Sequence, residues 1–78
     1  MNVTVLKRTE FTQERFVVEG APRTFGIRPR FVVVRWNFEN GTYVISYVRI
    51  ASRFGYYVTL RNNISERLPD WVNEIIHA

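Results

Sequence analysis

Apolar and polar positions alternate along most of this chain, and the pattern is strongest on either side of one Asn-Gly pair. Residues 30–38 read RFVVVRWNF and residues 42–50 read TYVISYVRI, both rich in β-branched and aromatic side chains. Two such runs flanking Asn40-Gly41 predict a β-hairpin. Its register decides what faces water. In a two-residue type I′ loop Glu39 pairs with Thr42. Val32, Val34, Trp36 and Phe38 then share a face with Tyr43, Ile45, Tyr47 and Arg49, and both faces are mixed. If instead Glu39-Asn40-Gly41 is a type I turn closed by Gly41 as a left-handed bulge, Phe38 pairs with Thr42 and every side chain of the second strand changes face. Val32, Val34, Trp36 and Phe38 then join Val44, Ser46, Val48 and Ile50. Phe31, Val33, Arg35 and Asn37 join Tyr43, Ile45, Tyr47 and Arg49. The bulged register is the expectation, because burying one clean apolar face is what fixes register in a half-covered sheet.

The rest of the chain supplies fewer signals. Residues 2–9 alternate as a first strand and residues 14–19, with Phe16, Val17 and Val18, as a second, joined through Phe11-Thr12-Gln13. Between residues 20 and 29 the pattern breaks. Gly20, Pro22, Gly26 and Pro29 punctuate a segment carrying Arg23, Arg28, Phe25 and Ile27, which reads as a basic loop or arm. After a turn at residues 51–55, residues 56–61 alternate again, Tyr56, Val58 and Leu60 pointing one way and Tyr57, Thr59 and Arg61 the other. Asn62-Asn63 ends that strand. A helix is predicted over residues 69–77, with Pro69 in its first position and Asp70 in its first turn, where the helix dipole favours an acid. Leu68, Trp71, Val72, Ile75 and Ile76 form one apolar stripe. So short a helix must dock on something to be stable. The apolar sheet face, with Val34, Trp36, Val44, Val48, Val58 and Leu60, is the expected partner.

These elements predict one α+β domain over residues 1–78, a twisted antiparallel sheet of about five strands with one C-terminal helix packed on one face. The other face is left uncovered. It is expected to display Arg35, Tyr43, Tyr47, Arg49, Tyr57 and Arg61, with Arg53 and Phe54 on the adjoining turn and Arg28 and Arg30 contributed from the basic loop and the start of the third strand.

Charge sharpens this picture. The formal net charge is +4, and residues 20–65 hold seven arginines against a single acid, Glu39. A basic middle is the footprint of a polyanion-binding surface, although a merely solvated face has the same composition. Every cation except Lys7 is Arg, whose planar fork suits phosphates and whose flat face stacks on rings. Aromatic residues make up 15% of the chain, more than one small core would use. With no cysteine, neither disulfides nor thiolate zinc can supplement a core that buries only about 60% of the unfolded-chain surface. Arginine-rich, cysteine-free composition also fits a thermophile. No apolar run reaches the length of a signal peptide or membrane span, so an intracellular, cytoplasmic protein that does not enter membranes is expected.

Three uses of the open face follow. In the first, single-stranded DNA or RNA binds there, bases stacking on tyrosines and phosphates on arginines. In the second, the face is a protein interface, in its simplest form that of a homodimer or of a viral or mobile-element module that disables a host factor. In the third, Phe31, Val33, Ile45 and the tyrosines form a second core under the N-terminal hairpin, as in a small closed barrel. The order of elements from the Val32-Val33-Val34-Arg35 strand, through a hairpin and a further strand, to a Trp-containing short helix is similar to the single-stranded DNA-binding domain of the positive-cofactor-four coactivators. The likeness is topological and covers residues 31–76. It implies nucleic-acid binding by the sheet of a dimer.

Nothing in the chain points to catalysis, a cofactor or a metal. His77 is the only histidine, and its penultimate position suits a cation at a helix C-terminus. The four glycines do not match a phosphate-binding loop. No enzyme is expected.

Overall fold

The computed structural model describes residues 3–10 and 13–78, which form a five-stranded sheet followed by two short helices. In chain order the elements are β1 (Thr4–Glu10), β2 (Gln13–Glu19), β3 (Phe31–Glu39), β4 (Thr42–Ala51), β5 (Tyr57–Leu60), α1 (Ile64–Arg67) and α2 (Asp70–Ile76). Each strand pairs antiparallel with the next in sequence, so the sheet is an open meander with β1 and β5 at its edges. The α+β architecture read from the pattern is the one observed. The closed barrel is not, because β1 and β2 extend the sheet sideways and do not fold over it.

One face of the sheet carries the core. Phe16 and Val18 of β2, Val32 and Val34 of β3, Val48 and Ile50 of β4 and Leu60 of β5 are all but inaccessible, and Leu68, Trp71, Val72 and Ile76 close over them. The helical stripe therefore docks where the pattern placed it. Burial of each such side chain contributes about 1.5–3 kcal/mol, which is what holds a seven-residue helix in place. Pro69 is extended and stands just before the helix, with Asp70 as its first residue.

The central hairpin departs from expectation at its tip. Asn40 and Gly41 both lie in the left-handed region, at φ 50° and 82°, and Glu39 pairs with Thr42. This is the two-residue loop, and not the bulged turn. The mixed faces that such a loop would impose are avoided further down. Trp36 pairs with Ile45 but Arg35 pairs with Tyr47, leaving Ser46 unpaired as a bulge inside β4. Beyond the bulge Val32 and Val34 oppose Ile50 and Val48, while Val33 and Arg35 oppose Arg49 and Tyr47. The apolar face is thus rescued by an extra residue in mid-strand. The tip, on the near side of Ser46, has the other phase: Ile45 and Tyr43 turn to the helix side with Trp36 and Phe38. Ile45 packs against the core, and Val44, expected there, is exposed.

Smaller corrections concern the connections. Gln13 begins β2, and Phe11 and Thr12 of the expected turn lie outside the described residues, as does Asn2. The segment after β5 holds a helical turn, α1, that the pattern did not predict; Asn63, at φ 53°, starts it and Ile64 packs on the core. The arm at residues 20–29 contains its own tight turn. Thr24 and Ile27 exchange backbone hydrogen bonds of 2.9 and 3.0 Å across Phe25 and Gly26, both at positive φ. The hydroxyl of Thr24 is buried, donates to the Pro22 carbonyl at 3.0 Å and accepts from Trp71 Nε1 at 3.2 Å, tying the arm to α2.

Candidate nucleic-acid interface

The strand register defines the uncovered face. Gln13, Arg15 and Val17 of β2 lie beside Arg35, Val33 and Phe31 of β3, these beside Tyr47, Arg49 and Ala51 of β4, and the last two beside Thr59 and Tyr57 of β5. Lys7 joins from β1, opposite Val17. Because successive strand residues point to opposite faces, every second residue of strands whose other face is core must appear here.

On this face guanidinium groups and rings alternate. Arg15 lies 4.7 Å from the centre of the Phe31 ring. Arg49 lies 4.7 Å from the ring of Tyr57 and 5.8 Å from that of Tyr47, and Arg61 lies 5.1 Å from Tyr47. A cation over a ring contributes about 0.5–1 kcal/mol at an exposed site. The arrangement also fixes long side chains that would otherwise be mobile. Arg49 is held further by donation from Nε to Thr59 Oγ1 at 3.1 Å, and Tyr47 by a hydrogen bond from the Gln13 side-chain amide to its hydroxyl. Phe31, Val33 and Tyr47 are half-buried and floor a groove of about 430 Å³, with Arg15, Arg49 and Arg53 on its walls and no carboxylate among its lining residues. Tyr57 is exposed. The outward edges of the stacked guanidiniums are free to receive anions, and the exposed ring is free to receive a flat apolar group.

At one end of the groove lies a second recess, between the arm and the turn that joins β4 to β5. It measures about 700 Å³ and is lined by Arg23, Arg28, Arg30, Arg53, Phe54 and Tyr56, among others. The turn is fixed by Ser52, whose hydroxyl accepts from the backbone N–H groups of Phe54 and Tyr56 at 3.3 and 3.1 Å. Arg30 is fixed at both backbone groups, donating from N–H to the Ala51 carbonyl and accepting from the Val18 N–H, each at 2.8 Å.

The residues singled out from sequence therefore divide into three. Arg35, Tyr47, Arg49, Tyr57 and Arg61 share the open face. Arg28, Arg30, Arg53 and Phe54 gather at the end recess, with Arg53 reaching both. Tyr43 belongs to neither: the phase of the hairpin tip puts it on the helix side, 5.0 Å from Phe38 in an edge-on ring contact. Its assignment to the open face is corrected by the two-residue loop. Residues not singled out include Arg15, whose place two residues before Val17 in β2 already carried the alternation, and Gln13, whose contact with Tyr47 spans 34 positions and left no local trace. Arg23 and Tyr56 complete the recess. The alternation aligns Tyr56 with Val58 and Leu60, but β5 begins at Tyr57 and Tyr56 stays in the turn.

His77 caps the end of α2 and meets the Trp36 ring edge-on at 6.3 Å. Among the described residues no three acidic or histidine side chains converge in a way that could hold a metal ion, and no helix is long and apolar enough to cross a membrane. Comparison with protein-family models, with curated proteins and with solved structures found no match for this chain, so the topological likeness to the positive-cofactor-four coactivators gains no support from them.

Proposed function

We propose that this protein binds single-stranded nucleic acid, DNA or RNA, across the open face of its sheet. The observation that carries the reading is the alternation of guanidinium and ring around an uncovered groove with no carboxylate in its lining, centred on Arg49 between Tyr47 and Tyr57. Unpaired bases stack on exposed rings at about 1–3 kcal/mol each, and guanidiniums already oriented by stacking take phosphates with little further loss of freedom. A duplex hides its base faces, so single strands are preferred.

The test is a fluorescence anisotropy titration with labelled single-stranded and duplex oligonucleotides at two salt concentrations, run beside light scattering for the mass of the binding unit. Single-strand binding that weakens as salt rises is expected, with a log–log slope of about −0.7 per phosphate contacted. A dimeric mass would extend the surface over two sheets. Absence of binding at low salt would sink the reading and turn attention to the same face as a protein interface, for which Tyr and Arg are equally suited.

A further inference from the structure

The open face and the end recess differ in the proportion of charge to rings. On the face Arg15, Arg49 and Arg61 each lie over a ring, an arrangement suited to a strand with one charge per nucleotide. In the recess four arginines, Arg23, Arg28, Arg30 and Arg53, surround one space of about 700 Å³ with only Phe54 and Tyr56 as aromatic partners, and no acid lines it. Among the described residues Arg23, Arg28 and Arg53 have no ion-pair partner, and Arg30 uses one of its five donors on the Val18 carbonyl at 3.4 Å. Such a space holds one or two nucleotides. An internal nucleotide brings a single negative charge. A terminal phosphate monoester brings about −1.5 to −2 at neutral pH, and a terminal triphosphate more.

Both walls are also built in advance. Ser52 fixes the turn that carries Phe54 and Tyr56, and the arm is pinned through the Thr24–Ile27 bridge and the Trp71–Thr24 hydrogen bond. Phe54 is 83% exposed and Tyr56 is 70% exposed, so two rings stand in water on a fixed backbone beside four cations. The recess meets the open-face groove at Ser52 and Arg53, which line both. A strand lying along the groove can bring its end into the recess.

We infer that the recess is a site for a terminal nucleoside phosphate: a multiply charged phosphate held by Arg23, Arg28, Arg30 and Arg53, with its base against Phe54 or Tyr56. As the end of a bound strand this ligand rests on the reading of the open face given above; as a free nucleotide it does not. The probes are one oligonucleotide prepared with a 5′-hydroxyl, a 5′-monophosphate, a 5′-triphosphate or a 3′-phosphate, together with adenosine triphosphate alone. Affinity is measured for the full chain and for R28Q/R53Q, with Arg49→Ala as the open-face comparison and circular dichroism to verify folding. A phosphorylated end is expected to bind about tenfold tighter than the hydroxyl end, from one or more additional charge-assisted contacts. R28Q/R53Q should abolish that preference, whereas Arg49→Ala should weaken all strands and keep it.

Equal affinity for all four ends would overturn the inference while leaving strand binding by the open face intact. If no oligonucleotide binds but adenosine triphosphate does, in a manner sensitive to R28Q/R53Q, the strand reading fails and the recess stands as a site for free nucleotides. If neither binds, both fall.

Discussion

The two faces of this sheet are made by the same strands, alternate residue by alternate residue, and have opposite chemistry. The covered face is apolar and, away from the hairpin tip, almost dry, and its side chains hold a helix too short to persist alone. The open face uses the neighbours of those same residues to display guanidiniums on rings. Val48 and Ile50 are buried while Tyr47 and Arg49, one step away, are only half-buried. The difference separates stability from binding along a single strand, so substitutions at adjacent positions should report on different properties.

Trp71→Ala should have the largest effect. It opens a cavity under α2 and removes the hydrogen bond that anchors the arm, and a loss of about 3–5 kcal/mol is expected from denaturant unfolding. Tyr57→Ala, on the open face, should leave the unfolding midpoint within the change of about 0.5 kcal/mol typical of surface sites, yet weaken single-strand binding by about 1–3 kcal/mol in the anisotropy titration. If Tyr57→Ala unfolds the domain, the separation between the faces fails.

The two tryptophans sharpen the comparison within the covered side. Trp71 Nε1 has Thr24 as its acceptor, whereas Trp36 Nε1 is buried without a partner. Trp71→Phe should therefore cost more than Trp36→Phe by about 0.5–1.5 kcal/mol, the net contribution of one hydrogen bond, read from paired denaturation curves. The smallest expected effect is that of Arg49→Ala on the salt dependence of binding. Its slope should fall by about 0.7 of a unit, with the affinity for single strands still above that for duplex.

Much of this arrangement was legible in the chain, because burial of one face imposes a period of two that survives in the sequence. Val32, Val34, Val48, Ile50, Leu60 and the stripe from Leu68 to Ile76 could be assigned to the core from spacing alone, and Arg35, Tyr47, Arg49, Tyr57 and Arg61 to the opposite face by exclusion. Tyr43 could not. Its side depends on Ser46, and a bulge leaves no periodic mark: it shifts phase once, in the middle of a run that reads well in either phase. The turn of α1 escaped because four residues are too few to show a helical period. The end recess escaped as a unit because it joins an arm to a turn roughly 30 positions away, and loops carry no periodicity by which such a meeting can be foreseen.

The bulge at Ser46 has a consequence for how the gene can change. β4 is one residue longer than its ladder with β3 uses. In an ordinary strand the loss of a residue inverts everything on one side of the gap, exchanging dry side chains for wet ones. Here Ser46 is spare: its deletion leaves each existing pair in place and keeps Tyr47 opposite Arg35. The strand has slack for the codon of Ser46, and losing it would relieve the local bend that a bulge imposes while both faces kept their composition.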